Sequence, residues 1–419
     1  LDEKEQKAFD LVGTKEERIL ELYKKLIGVD TTVPPGKNYD TLLDLIEPEF
    51  QRLGFTTERV TIPDELVATI PLPLEGPRQN LVATRSHGKD PVTIYAHMDV
   101  VPIEEGWDYD PFGAEYVDGK IYGRGTADMK GAIASVLVAV ETMDELGIEP
   151  NHDLIVCLCT DEEIGGYPGI WHLAKEGYVK GHMLCLEGSQ DPRIGLASAG
   201  SMDVTITTIG ESCHSGMNFI GTNAIDGMIP ILNELYALKQ EVEKREEPGI
   251  PGPAHPKAPS KFMTPMFNLS IINAGVKSNI VPATCSVLIN RRFIPSENAD
   301  DVENEIREAV ERGLEKSVAL DAKVEVFRTY PAMRKEVGPR TLKMKEALKL
   351  VHGYSEEDFV MTGGSGSTDM ANVQQELGWS DIPFGGPGRM DSRAHGANEF
   401  VRMDDVKAHI KTLIHYLGF

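Results

Sequence analysis

Long apolar runs are missing from this chain. No stretch approaches the ~18 residues that a bilayer-spanning helix needs, so a transmembrane helix is not expected. Basic charge is also in short supply. Lys and Arg number 42 against 66 Asp and Glu, a formal net charge of −24. A nucleic acid or an anionic membrane surface would be repelled by that surplus, which argues against both as partners. Cysteine is scarce, five in 419 residues, and no C-x-x-C pair occurs, which removes a thiolate zinc knuckle. Cys157 and Cys159 alternate with apolar residues in L-I-V-C-L-C-T, and Cys185 lies in M-L-C-L-E. They read as reduced thiols in buried strands, which points to a reducing, cytoplasmic compartment. The opening L-D-E-K-E-Q-K is charged, unlike a secretory signal. Leu1 is not an initiator methionine, which leaves room for a removed leader.

What is present is an ordinary globular balance, 41% hydrophobic and 26% charged. The length suits two domains, or one domain with a large insertion. Helical spacing appears at Ile19 to Leu26 and at Leu42 to Leu53. Strand-like segments follow at 56–62, 80–84 and 91–95. The third leads into Ala96-His97-Met98-Asp99, where two positions separate a histidine from a carboxylate able to orient its ring. Next comes W-D-Y-D-P-F (107–112) and D-G-K-I-Y-G-R-G-T-A-D-M-K-G (118–131). There Asp128 sits among glycines at the mouth of a helix expected from Lys130 to Leu146. A plain helix-end charge is the alternative reading of Asp128. An apolar strand at 153–160 ends in Asp161-Glu162-Glu163, and another at 182–186 ends in Glu187. Acids at the ends of buried strands stand where open α/β sheets place their ligands. Strands alternating with helices predict a mostly parallel sheet flanked by helices.

From about Gly200 the texture changes to alternating strands, and the order strand–helix–strand–strand–helix–strand predicts an inserted α+β sandwich. The boundaries fall at 1–199 and 331–419 for the α/β domain and at 200–330 for the insertion. A Gly/Ser loop at 361–369 and the A-H-G-A-N-E segment at 394–399 precede the last helix.

Collected together, His97, Asp128, Glu163, Glu187 and His395 supply two imidazoles and three carboxylates. That set suits two divalent ions, Zn²⁺ first, then Co²⁺ or Mn²⁺, with Asp128 best placed to bridge them. Glu162 is left beside a ligand as a general base, and the chemistry becomes hydrolysis of an amide C–N bond by an activated water.

These motifs, with D-E-E-I-G (161–165) and E-G-S (187–189), resemble the two-metal aminoacylase/carboxypeptidase family, which includes acetylornithine deacetylase, succinyl-diaminopimelate desuccinylase, glutamate carboxypeptidase and dipeptidases. The resemblance runs over nearly the whole chain. It implies a zinc-exopeptidase-like fold with an inserted lid that dimerises. It implies that His97, Asp128 and Glu187 hold one ion while Asp128, Glu163 and His395 hold the other. By the same resemblance Asp99 orients His97, Glu162 is the base, and His214 supports the oxyanion of the neighbouring subunit's site in a homodimer. Asn279 and Arg292 match lid positions that hold substrate polar groups, and Gly364 matches a substrate loop. The expected substrate is an N-acyl amino acid or a short peptide. The alternatives are a relative that hydrolyses another C–N bond, such as a deaminase, and a silent metal-binding scaffold. Two departures from the family bear on specificity: S-G-M-N-F-I follows His214, and a Pro-rich insertion occupies 248–265.

Overall fold

Three helices open the chain: α1 (Glu3–Gly13), α2 (Glu16–Ile27) and α3 (Tyr39–Arg52). Asp2 caps α1 by accepting from the Glu5 N–H, one of the donors a helix start leaves unpaired. There follow β1 (Thr56–Thr61), the short α4 (Asp64–Val67), β2 (Gln79–Arg85) and β3 (Pro91–His97), then β4 (Glu115–Val117) and β5 (Lys120–Tyr122). Helix α5 (Lys130–Glu145) is buried along almost its entire length, and its Ala- and Val-rich surface packs against α2. Each fully buried Val or Leu there contributes ~1.5–3 kcal/mol. Next are β6 (Asp153–Cys159), α6 (Gly169–Lys175), β7 (His182–Cys185) and β8 (Arg193–Ser198).

The alternating segment gives β9 (Gly200–Ile209), α7 (Ala224–Val242), β10 (Met266–Ala274), β11 (Thr284–Phe293), α8 (Ala299–Leu314), β12 (Asp321–Tyr330) and β13 (Met333–Arg334). The chain ends with α9 (Pro339–His352), β14 (Val360–Gly364), α10 (Met370–Leu377), β15 (Phe400–Arg402) and α11 (Met403–Gly418). These coordinates are a computed structural model describing residues 2–419. Among them no helix is long and apolar enough to cross a membrane.

The chain forms two units. The first comprises Leu1–Ile194, Lys335–Met361 and Asn372–Phe419, and the second Gly195–Arg334 with Thr362–Ala371. The main sheet of the first has the order β1-β2-β6-β3-β7. β6, β3 and β7 run parallel, as expected, but β2 runs antiparallel to both its neighbours, β1 and β6, so the α/β sheet is mixed. The reason is local. A parallel return needs a helical crossover, and the Pro-rich link from β1 to β2 holds only the four-residue α4.

The second unit has an antiparallel sheet, β10-β11-β9-β12, with α7 and α8 packed against it. Met202, Val204, Ile206, Val287 and Ile289 from the strands meet Met228, Ile231, Leu235, Ile306 and Val310 from the helices. The alternation with which this segment opens is the burial pattern of β9 itself.

One boundary differs from the sequence expectation. Residues 362–371, with Gly364, go with the second unit and not with the α/β domain. The Ala199 N–H donates to the carbonyls of Gly364 and Gly366, and Ser367 Oγ donates to the Ala199 carbonyl. Partners so distant in sequence leave no local signal. The Pro-rich 248–265 segment is likewise anchored. Met263 N–H donates to the Ile250 carbonyl, and both side chains are buried with Ala197, Ala199 and Ile294.

Candidate metal centre

Three parallel strands of the first unit lead to His97, to Glu162 and Glu163, and to Glu187, while Asp128 and His395 come from loops. β3 ends on His97, paired with Cys159 at the end of β6. The chain leaving β6 turns at Asp161, whose φ of +63° is in the left-handed region that Asp tolerates better than most residues. That turn is held from beneath. Tyr39 donates to Asp161 Oδ1 at 3.1 Å, and Arg78 Nε stands 3.2 Å from Oδ2, all fully buried. Burial pushes the Asp161 carboxyl up to about 7. β7 pairs with β3 up to Cys185 opposite Tyr95, and Glu187 follows two residues beyond that pair.

Asp99 does more than orient a ring. Its Oδ1 and Oδ2 accept the backbone N–H groups of Glu162 and Glu163 at 3.2 and 2.9 Å. His97 Nδ1 lies 3.0 Å from the Asp99 backbone carbonyl and 3.6 Å from Asp99 Oδ1. The carbonyl is therefore the closer orienting acceptor, and the carboxylate sets the position of the two acids that follow β6. With its proton on Nδ1, the ring presents the Nε2 lone pair to the cluster.

Asp128 is presented by a loop built around a buried acid. Glu399 Oε1 accepts from the N–H groups of Gly125, Ala127 and Asp128 at 3.0 to 3.1 Å, and Arg124 donates to Oε2 at 2.9 Å. Gly125 has φ +87°, and a Cβ there would meet Val100 Cγ1 at 2.8 Å, so only glycine fits. Burial raises the Glu399 carboxyl to about 7. The opposite loop is tied down by the W-D-Y-D segment. Asn398 Nδ2 donates to Asp108 Oδ2, and Asp108 N–H donates back to Asn398 Oδ1, both at 2.8 Å. These bonds steady a loop in which His395 itself has φ +65°.

The result is a tight cluster. One donor atom each from His97, Asp128 and Glu163 lies within 4.8 Å of the others. Asp128 Oδ1 is 3.3 Å from His97 Nε2, and Oδ2 is 3.2 Å from His395 Nε2. Each oxygen of one carboxylate therefore faces a different imidazole. His395 Nε2 is 3.1 Å from both Glu163 oxygens. The Glu162 carboxylate lies 3.9 Å from His97 Nε2.

His97 Nε2 is buried without a hydrogen-bond partner. Spacings of 3.1, 3.2 and 3.3 Å come close to the ~3.3–3.6 Å edges of a tetrahedron with the ~2.0–2.2 Å bonds of zinc to nitrogen and oxygen. The donor set fits a borderline divalent cation. The electrostatics agree. Burial alone would strip the His97 ring, yet Asp128, Asp99 and Glu162 raise it well above the usual histidine value. Asp128 and Glu163 lift His395 to about 10. Burial opposes ionisation of Asp128, yet the two imidazoles hold its carboxyl far below its usual range. Protons are drawn onto both rings because the acids need positive charge between them.

The second unit carries the other four candidates. His214 is exposed, and its Nδ1 accepts from the Gly216 N–H at 3.0 Å, which leaves the neutral ring's proton on Nε2. The Asn279 carbonyl accepts from Ser215 N–H, and His214 bridges Ile280, so His214 and Asn279 share one loop pair. Arg292 Nη1 donates to Ser367 Oγ at 2.8 Å, in the same loop as Gly364. Nothing in the sequence alone assigns a role to Glu399, Asp161 or Arg78. A glutamate and an aspartate inside glycine-rich motifs were the only signal for the first two.

Comparison with known proteins places this geometry. The sequence profile of peptidase family M20/M25/M40 matches residues 93–418. The chain belongs to this family. Succinyl-diaminopimelate desuccinylase of Xanthomonas euvesicatoria pv. vesicatoria is 30% identical over 346 residues, 80% of this chain and 84% of the relative. The M20 family metallo-carboxypeptidase Sso-CP2 of Sulfolobus solfataricus superposes with a TM-score of 0.75 at 19% identity, covering 99% of this chain and 98% of that one. Bacillus subtilis YXEP protein, described as a dinuclear metal-binding peptidase of family M20, gives 0.63 at 16% identity, covering 96% and 98%. This chain is a hydrolase of amide bonds in N-acyl amino acids or peptides.

Proposed function

We propose that His97, Asp128, Glu163, Glu187 and His395 hold two divalent ions, zinc by preference and cobalt or manganese as substitutes, with Asp128 between them. The observation that carries this reading is the Asp128 carboxylate facing His97 with one oxygen and His395 with the other. When bound, such ions polarise a scissile carbonyl and acidify the attacking water. Glu162 takes the water's proton and returns it to the departing amine; its backbone is fixed by Asp99, and its carboxylate stands at the cluster without being one of its closest donors. Arg292 and Asn279 receive the substrate's carboxylate, and Gly364 shapes the loop beside Arg292.

His214, with Nε2–H as a donor, supports the oxyanion in a partner subunit's site. A homodimer formed through the second unit is supported by its apolar surface. The edge strand β10 exposes Leu269, Ile271 and Ile272, and α7 exposes Ile225, Ile229 and Tyr236. All five cysteines are free thiols, in keeping with a reducing, cytoplasmic location.

The test is amine release from N-succinyl and N-acetyl amino acids and from dipeptides, with protein loaded with Zn²⁺, Co²⁺ or Mn²⁺. Turnover of one acyl class, a loss of ~10²–10⁴-fold in kcat for Glu162→Gln, and two metals retained in that variant are the expected results. Ammonia as the sole product points to the aminohydrolase alternative. Full activity of Glu162→Gln overturns the assignment of the base.

A further inference from the structure

At the N-terminal ends of β3, β6 and β7, opposite the end that leads to His97, Glu163 and Glu187, lies a cavity. It measures about 500 Å³ and is lined by Asp90, His152, His182, Arg340, Lys343 and Tyr416, among others. β3 begins at Pro91, β6 directly after His152, and β7 at His182. The seven residues of β3 separate this pocket from His97 by ~20 Å at ~3.3 Å per residue. The cavity is therefore distinct from the metal centre.

Its charge runs against that of the whole molecule. Acids outnumber bases by 66 to 42 in this chain, yet two fixed cations and two imidazoles line this cavity against one acid, Asp90. Among the described residues, neither the Arg340 guanidinium nor the Lys343 ammonium is paired with a carboxylate; the Lys343 ammonium lies over the Tyr416 ring, 5.3 Å from its centroid. The nearby acid Asp381 is already engaged, since it accepts the N–H groups of Gly338, Arg340 and Thr341 at the start of α9.

The polar groups are arranged in order. His182 Nε2 lies 3.3 Å from the Tyr416 hydroxyl, the rings of His152 and His182 meet edge to face at 4.9 Å, and His152 Nδ1 is 3.3 Å from the Asp90 carbonyl. Burial first, then Arg340, His152 and Lys343, depress the His182 imidazole to about 4. The same uncompensated positive charge that keeps this ring neutral is what a bound anion would offset.

We propose that this pocket binds a small dianion, a phosphate group or a dicarboxylate, between Arg340, Lys343 and the two histidines. The guanidinium supplies a planar fork for two oxygens, the ammonium a point charge, and the imidazoles further donors. Occupancy joins the start of α9 to the N-terminal ends of the strands that hold the metal donors, so the bound anion stabilises the folded chain by mass action.

Imidazole NMR of the metal-loaded full chain tests this at the pocket itself. Inorganic phosphate and succinate are titrated separately, with potassium chloride as the ionic-strength control. The His152 and His182 signals should move saturably with phosphate, succinate or both, while chloride leaves them in place. Phosphate alone identifies a phosphate group as the ligand, and succinate alone a dicarboxylate. The variant Arg340→Ala/Lys343→Ala should weaken that binding at least ~tenfold. Both side chains are partly exposed, and circular dichroism checks that the variant folds. Lys343→Gln alone should give an intermediate loss. Signals unmoved by both anions, equal shifts with chloride, or unaltered binding in the double variant would overturn the proposal.

Discussion

The two sheets of this molecule are built on opposite plans. In the first unit, β3, β6 and β7 are buried on both faces, and the chemistry is held at their ends. In the second, β9 and β11 alternate between buried and partly exposed positions, and the candidate substrate residues sit on loops and along a strand with one open face. A doubly covered sheet cannot shift one strand without disturbing a dense core, so its ends make a rigid platform. A half-open sheet has edges and a free face, and those suit contacts with a substrate or a second subunit. The comparison separates a region where position is over-determined from one where adaptation is tolerated.

The sharpest way to break that contrast is at the cluster. Asp128→Ala removes the carboxylate that both imidazoles face, and activity should fall by at least ~10⁴-fold with metal content below two per chain, read by elemental analysis and kcat. Next is the support beneath it. Glu399→Gln leaves every cluster donor in place but weakens acceptance of three N–H groups, so metal affinity should drop ~10–100-fold in a competition titration. Unchanged affinity would mean that the Asp128 loop holds itself.

Proton competition is smaller. The metal-free His395 ring holds its proton up to about 10, and an ion needs the neutral ring. Metal affinity should therefore rise with pH, by about tenfold per unit for each proton displaced, measured with a chelating dye between about pH 6 and 8. A flat profile would show that the cluster does not hold these protons. Smallest is a change on the open unit. Ile272→Ser, on the exposed edge strand, should alter unfolding free energy by no more than ~0.5 kcal/mol while shifting the monomer–dimer balance seen by light scattering. A large loss of stability would show that β10 is not a free edge.

Much of this design was legible from residue order. The five proposed donors stand at strand ends or in glycine-rich turns, and hydrophobic periodicity marks the strands and helices that carry them. The split order of the second unit followed from the succession of strand-like and helix-spaced segments. The positions of β1 and β2 in a mixed sheet were not legible, because pairing direction depends on what fits between strands and β6 enters between β2 and β3. Nor was the place of residues 362–371, which is set by hydrogen bonds to Ala199, more than 160 residues away in sequence.

By itself, then, the sequence determined which side chains could do the chemistry and which family the chain resembles, because donor type and local periodicity are written residue by residue. Only the tertiary structure decided that Asp128 faces two imidazoles at once, that Asp99 and Glu399 hold backbone around the cluster, and that Arg340 and Lys343 share a cavity with two histidines. Those facts rest on distances between residues far apart in the chain, and burial alone gives such distances their energetic weight.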